Sequence, residues 1–235
     1  VSMLKGEITS ILIKEKILPQ QLSTRFSTMK PEIEYVIREN LKNTLFVPLT
    51  VNDAPGESGD AILRLLTQQV GNILNKQFPF EIAEDCEYSR IIILDDCIGS
   101  GEQFKDFWEE KQIRSGKRLR EWCQEKKIKV YYVVIVGFLD TIETLRTLYD
   151  DVEFVCVEEL REHHKIIEKL RKDELFSGSE SVLMEHLEDC NIKLLGFNDM
   201  EFAVFIHNNI PDWSLPVFYK SRENWMPLLR RKNSD

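Results

Sequence analysis

Hydrophobic positions along this chain follow two rhythms. Unbroken apolar runs read as buried strands: TLFVPLTV (44–51), IIILDD (91–96), KVYYVVIVGFLD (129–140), VEFVCVEEL (152–160) and DMEFAVFIHNN (199–209). Between them apolar residues recur at helical spacing, in AILRLLTQQVGNIL (61–74), EQFKDFWEEKQIRSGKRLREWCQEKK (102–127), TIETLRTLYDD (141–151) and SGSESVLMEHLEDCN (177–191). The second of these predicts a break near Ser115-Gly116, and Thr141 is a candidate N-cap for the third. Ahead of the first strand, GEITSILIKEKIL and KPEIEYVIRENL read as helices, Pro31 being acceptable in a first helical turn.

Strands alternating with helices predict an α/β fold built on an open, mostly parallel sheet with helices on both faces. No internal repeat or linker divides the chain. The expectation is a single domain over 1–235, with a helical extension at 1–43 and an α/β core with a C-terminal cap at 44–235.

Composition narrows the function. A net charge of −9 disfavours direct nucleic-acid binding through a general basic surface. Two local basic strips, KQIRSGKRLR (111–120) and LLRRK (228–232), read either as solvated faces or as contacts for a phosphate-bearing partner. No run approaches the ~20 apolar residues of a membrane span, and the first residues lack a signal-peptide core. Five scattered cysteines without a CxxC pair favour reduced thiols, so the expected location is cytoplasmic.

The chemistry concentrates in RIIILDDCIGSGEQF (90–104). Ligands of open α/β sheets bind outside the carboxyl ends of the strands. Two acids, Asp95 and Asp96, fall at such an end, and Gly99, Ser100 and Gly101 follow at a helix start. Carboxylates accept hydrogen bonds from hydroxyls and hold magnesium, while a glycine turn at a helix N-terminus offers backbone N–H groups to an anion. A ribose phosphate satisfies both halves. A dinucleotide fingerprint fits less well, because Phe104 occupies the third glycine position and its acid belongs ~20 residues later. A Walker A loop needs a lysine that neither SGE nor SGD supplies. A receiver-like regulatory domain, with Asp140 as phospho-acceptor, and a charged turn without ligand remain alternatives.

The same stretch resembles the ribose-phosphate signature of type I phosphoribosyltransferases. The resemblance implies that Asp95 and Asp96 bind the ribose hydroxyls and magnesium, and that Gly99, Ser100, Gly101, Glu102 and Gln103 cradle the 5′-phosphate. Ser100 and Gln103 stand where the family has threonines, Glu102 adds a negative charge, and Gly99 removes the acid that purine-salvage members use as a base. NDAPGESGD (52–60) occupies the place of the family's pyrophosphate loop, with Ser58 and Gly59 offering N–H groups to a diphosphate. FIHNNIPDWSLPVFY and Trp225-Met226-Pro227-Leu228 resemble the ending of a divergent group of phosphoribosyltransferase-like domains from bacterial conflict systems, effectors beside reverse transcriptases in retrons among them. The matching residues are Asn208, Pro211, Leu215, Pro216, Trp225, Pro227 and Leu228.

His207, Asn208 and Asn209 follow a predicted strand and are candidates for the base or acceptor side. Trp213 and Trp225 either stack on a base or close the core, His163-His164 reads as a solvated face, and Cys97 as a small apolar residue beneath the turn. No catalytic residue is assigned. Two functions follow from the resemblance. One is an enzyme, a phosphoribosyl or glycosyl transferase or a nucleotide-degrading activity, acting on phosphoribosyl diphosphate or a nucleotide as a toxin-like defence effector held in check by a protein partner. The other is a catalytically inactive module that senses a nucleotide or docks on a partner.

Overall fold

The computed structural model describes residues 7–8, 41–51, 57–70, 74–167, 179–193, 195–206, 210–222 and 225–228. The predicted helices of the N-terminal extension therefore lie almost wholly outside the described residues, as do His207, Asn208 and Asn209. The chain divides into two compact units, one of residues 1–137 and 141–159, the other of 138–140 and 160–235.

The first unit is built on a parallel five-stranded sheet in the order β2-β1-β3-β4-β5. Its strands are β1 (Thr44–Pro48), β2 (Asn75–Lys76), β3 (Arg90–Ile98), β4 (Lys129–Phe138) and β5 (Val152–Leu160). All of β1 and the first seven residues of β3 are buried, as expected of parallel strands covered on both faces. The pleat sorts their side chains. Leu45, Val47, Ile91, Ile93, Tyr132 and Val134 meet the apolar residues of α2 (Glu102–Glu110), α3 (Leu119–Glu125) and α4 (Leu139–Leu148). Phe46, Ile92, Leu94, Tyr131 and Val133 meet Ile62, Leu63 and Leu66 of α1 (Ser58–Val70), together with Ile8 and Leu41.

This order places a topological switch between β1 and β3. From β1 the chain passes through α1 to β2 on one side, and β3 lies on the other. The helices that follow these two strands, α1 and α2, pack on opposite faces of the sheet. Such a divergence opens a crevice at the carboxyl ends of the two strands.

Several boundaries depart from the sequence pattern. IIILDD is extended by Cys97 and Ile98, which pair with Val136 and Gly137, so the acids lie inside β3 rather than at its exit. The long helical stretch 102–127 does break, around a turn in which Gly116 has φ +86°. Helix α4 begins at Leu139, before the expected cap at Thr141, and Asp140 sits in its first turn. Asp140 thus stands two residues past the end of β4.

In the second unit, described by itself, α5 (Ser179–Asp189) is the longest helix among the described residues. The predicted strand DMEFAVFIHNN does not form over its described part, which carries isolated bridge positions instead, among them the one between Phe202 and Ser214. The Ser214 hydroxyl accepts from the Val204 N–H at 3.1 Å and donates to the Val204 carbonyl at 3.0 Å. A side chain thus occupies the backbone groups that a neighbouring strand would have used. Gly196 lies so close to the Trp213 and Ser214 backbone that a Cβ there would run into the Trp213 carbonyl.

Candidate functional site

Two segments meet at the switch point. The first leaves β1 through Leu49 and Thr50, both buried, and re-enters the described chain at Glu57. Its stem is closed on both sides: the Val51 N–H donates to the Glu57 carboxylate, and Lys111 Nζ donates to the Val51 carbonyl at 2.8 Å. Helix α1 then starts against the sheet. A Cβ on Gly59 would lie 2.5 Å from the Leu49 carbonyl oxygen and 2.6 Å from that of Leu94. Only glycine permits this approach, and Leu49 N–H donates to Leu94 O at 2.9 Å beside it.

The second segment is the end of β3. Asp95 is 1% exposed and Asp96 5%. The Ser58 hydroxyl donates to Asp95 Oδ1 at 2.7 Å, the Asp96 N–H to the same oxygen at 2.8 Å, and the Tyr132 hydroxyl to Oδ2 at 3.2 Å. Burial pushes the Asp95 carboxyl well above the ordinary carboxylate range, and the Asp96 charge pushes it the same way. Burial, then the charge of Asp95, likewise raises the Tyr132 phenol. Tyr132 is itself 2% exposed, its ring stacked on Phe104 at 4.5 Å and edge-on to Phe154 at 5.9 Å.

The glycine turn follows as the motif predicts. Gly99 and Gly101 are buried, and Gly101 has φ +80°, a left-handed conformation that side chains disfavour. It caps α2 without a side-chain bond, while the Glu102 N–H reaches Ser100 Oγ at 3.4 Å. Glu102 and Gln103 are exposed on the first turn. The structure thus brings Ser58, Gly59 and Asp95 together, with Asp96 next in β3 and the Gly99–Gln103 turn following its end. Among the described residues no group of three metal-ligating side chains occurs.

Other sequence candidates take structural places. Pro211, Leu215, Pro216 and Pro227 of the C-terminal motif are buried in the second unit, whereas Leu228 is exposed. Trp213 is buried edge-on to Phe202, and Trp225 packs on His186 with its indole N–H on the Val217 carbonyl. His163 is exposed; His164 accepts the Arg161 N–H. Cys97 is half-buried. In the basic strip, Lys117 bridges Glu84 and Glu125, and Arg120 pairs with Asp151 over the Tyr149 ring.

The sequence reading missed three contributors: Tyr132, Glu57 and Lys111. A tyrosine inside an aliphatic buried strand must find a partner for its hydroxyl, and that was the available signal. A separate groove of about 440 Å³ lies at the opposite strand ends, among Lys129, Arg146, Asp151 and Phe154. It is remote from this chemistry.

The PRTase-CE family model matches residues 2–231 of the 235. The fold and the match define a phosphoribosyltransferase-like domain. The chain belongs to the PRTase-CE family. Among solved structures it is similar to the AQ2163 protein from Aquifex aeolicus, 18% identical over 52% of this chain with a TM-score of 0.35. That match spans 57% of the AQ2163 chain. It is also similar to orotate phosphoribosyltransferase from Aeropyrum pernix, 14% identical over 66% of this chain and 74% of that one, with a TM-score of 0.33. No curated protein matches it. Among the described residues no helix is long and apolar enough to cross a membrane.

Proposed function

We propose that the chain binds a ribose-phosphate ligand, phosphoribosyl diphosphate or a nucleotide, at the carboxyl ends of β1 and β3, and serves as a cytoplasmic effector in bacterial anti-phage defence under the control of a protein partner. The observation that carries the ligand reading is the meeting of Ser58 and Asp95 at 2.7 Å at the switch point, in a chain of the PRTase-CE family. The start of α2 would take the 5′-phosphate on the N–H groups of Gly99–Gln103, since backbone amides and the helix dipole favour an anion there. Ser58 and Gly59, just past the stem at Val51 and Glu57, would offer their N–H groups to a diphosphate. The defence role and the partner rest on the likeness of the C-terminal motif to conflict-system domains.

Magnesium fits this donor set. The ion is commonly held by one or two carboxylates together with a ligand's own phosphate oxygens, so a cluster of three protein ligands is not required. Asp95 and Asp96 are the carboxylates that would hold the ion, and both Asp95 oxygens already accept hydrogen bonds. When bound, magnesium would neutralise a departing diphosphate. The chain's own part is to orient the ribose and hold the phosphate.

A second reading, a sensor without turnover, is favoured by the exposed Glu102 on the first turn of α2 and by the sealed Asp95. Melting curves with magnesium and phosphoribosyl diphosphate test the ligand, because a ligand that binds only the folded state raises the melting temperature by mass action. The parent should shift and an Asp95→Asn, Asp96→Asn double variant should not. A shift with ATP alone would favour the sensor, and equal shifts in parent and variant would refute the site.

A further inference from the structure

The type I resemblance gives both acids of the motif the same task, yet their surroundings differ. Asp95 shares its sheet face with Ile91, Ile93 and Tyr132, under α2, whereas Ser58 opens α1, which packs on the other face. The Ser58–Asp95 bond therefore ties the start of one helix layer to a carboxylate of the other across the sheet edge. A carboxyl group has about four hydrogen-bonding positions, and here the Ser58 hydroxyl, the Asp96 N–H and the Tyr132 hydroxyl take three while the Asp96 side chain engages it as well. A ribose hydroxyl could take Ser58's position only by pulling the start of α1 away, and Gly59 fixes that start against the Leu49 and Leu94 backbone. It could take Tyr132's only by leaving a buried phenol unpaired, a cost that native structures avoid. The Tyr132 ring is wedged between Phe104 and Phe154 and has no route outward.

We propose that Asp95 is a positioning residue: seated by Tyr132, it holds Ser58 and with it the stem of the segment that leaves β1, and it does not itself take the ribose hydroxyls. The ligand class rests on the reading above; the strut does not. Ser58 and the start of α1 are thereby set by one buried carboxylate, so a change beneath the sheet edge alters ligand affinity without touching the ligand.

Conservative substitution separates this role from direct binding. Asparagine keeps an acceptor for Ser58 and for the Asp96 N–H, and its amide faces a tyrosine hydroxyl that can turn to accept. Calorimetric titration of phosphoribosyl diphosphate with magnesium should give Asp95→Asn an affinity within about threefold of the parent. Asp96→Asn should lose tenfold or more, and Tyr132→Phe a few-fold. Asp95→Asn as damaging as Asp96→Asn would overturn the proposal. The ligand-free full chain supplies an independent readout. Deuterium uptake over residues 57–63 should rise in Ser58→Ala and Asp95→Ala but not in Asp95→Asn, with β4 unchanged in all three. Unchanged uptake in Ser58→Ala, which removes only one hydroxyl near the surface, would also overturn it. Should the parent bind no phosphoribosyl diphosphate, the ligand reading falls and the uptake series alone decides the strut.

Discussion

Gly59→Ala adds one methyl group where the start of α1 meets the sheet. In most helices this exchange stabilises, by roughly 0.5–1 kcal/mol, because glycine loses more backbone freedom on folding. Here the new Cβ would stand 2.5 Å from the Leu49 carbonyl oxygen, 2.6 Å from the Leu94 carbonyl oxygen and 2.7 Å from the Leu49 nitrogen. These are backbone atoms, tied to each other by the Leu49–Leu94 hydrogen bond, and they cannot turn aside. Restoring ordinary contact at 3.4 Å requires α1 to retreat by about 0.9 Å, the difference between 3.4 and 2.5 Å. Such a retreat stretches the 2.7 Å Ser58–Asp95 bond to about the limit of a hydrogen bond. Overpacking of this kind costs about 1–3 kcal/mol, and the loss of a bond to a buried carboxylate adds about 1–2 kcal/mol, against less than 1 kcal/mol regained from helix propensity. The net loss is about 3 kcal/mol, or a fall of roughly 6–12 °C in melting temperature for a domain of this size. Scanning calorimetry of parent and variant measures it, and the shift with magnesium and phosphoribosyl diphosphate should shrink in parallel. A variant as stable as the parent, or more so, would show that α1 does not seat on the sheet as described.

Three further outcomes follow from the same geometry. Asp95 binds its proton more tightly folded than unfolded, so its penalty is absent below about pH 4, near the unfolded value of 3.8, and grows as pH rises toward the folded value. Asp95→Asn should therefore melt above the parent at pH 7–8, with the gap closing toward pH 4; a gap that widens on acidification would contradict the raised carboxyl. Gly101→Ala must adopt φ +80° with its Cβ 2.9 Å from Thr141 Cγ2, and should cost about 1–2 kcal/mol from the backbone alone; an unchanged denaturation midpoint would exclude the left-handed cap. Glu102 is exposed, so at ~6 Å from a bound phosphate its repulsion in water is only about 0.7 kcal/mol, and Glu102→Gln should tighten phosphoribosyl diphosphate about threefold at low salt and negligibly at high salt. A collapse of affinity instead would mean that Glu102 holds the ligand.

How far these features could be seen beforehand depended on whether they were local. The unbroken run Ile91–Leu94 marks a strand buried on both faces, and Ser115-Gly116 marks the break between α2 and α3, because each is written in consecutive residues. The glycine turn ahead of α2 was legible for the same reason, whereas the left-handed φ of Gly101 was not. Strand order was not, and the switch point between β1 and β3 depends on it. The Ser58–Asp95–Tyr132 network joins residues 37 positions apart twice over, through a register that no one-dimensional pattern encodes. The segment at Phe202 misled because alternation predicts extended backbone, while a single hydroxyl, that of Ser214, decided that the extension would end in a clasp rather than a ladder.

The central claim is that a ribose phosphate binds at the carboxyl ends of β1 and β3. A crystal structure of the chain grown with magnesium and phosphoribosyl diphosphate tests it most directly. The account predicts the 5′-phosphate on the backbone amides of Gly99–Gln103, no ribose hydroxyl on Asp95, and Ser58 still bonded to Asp95. Ligand density in the groove among Lys129, Arg146 and Asp151 at the opposite strand ends, with the turn at Gly99 empty, would contradict it.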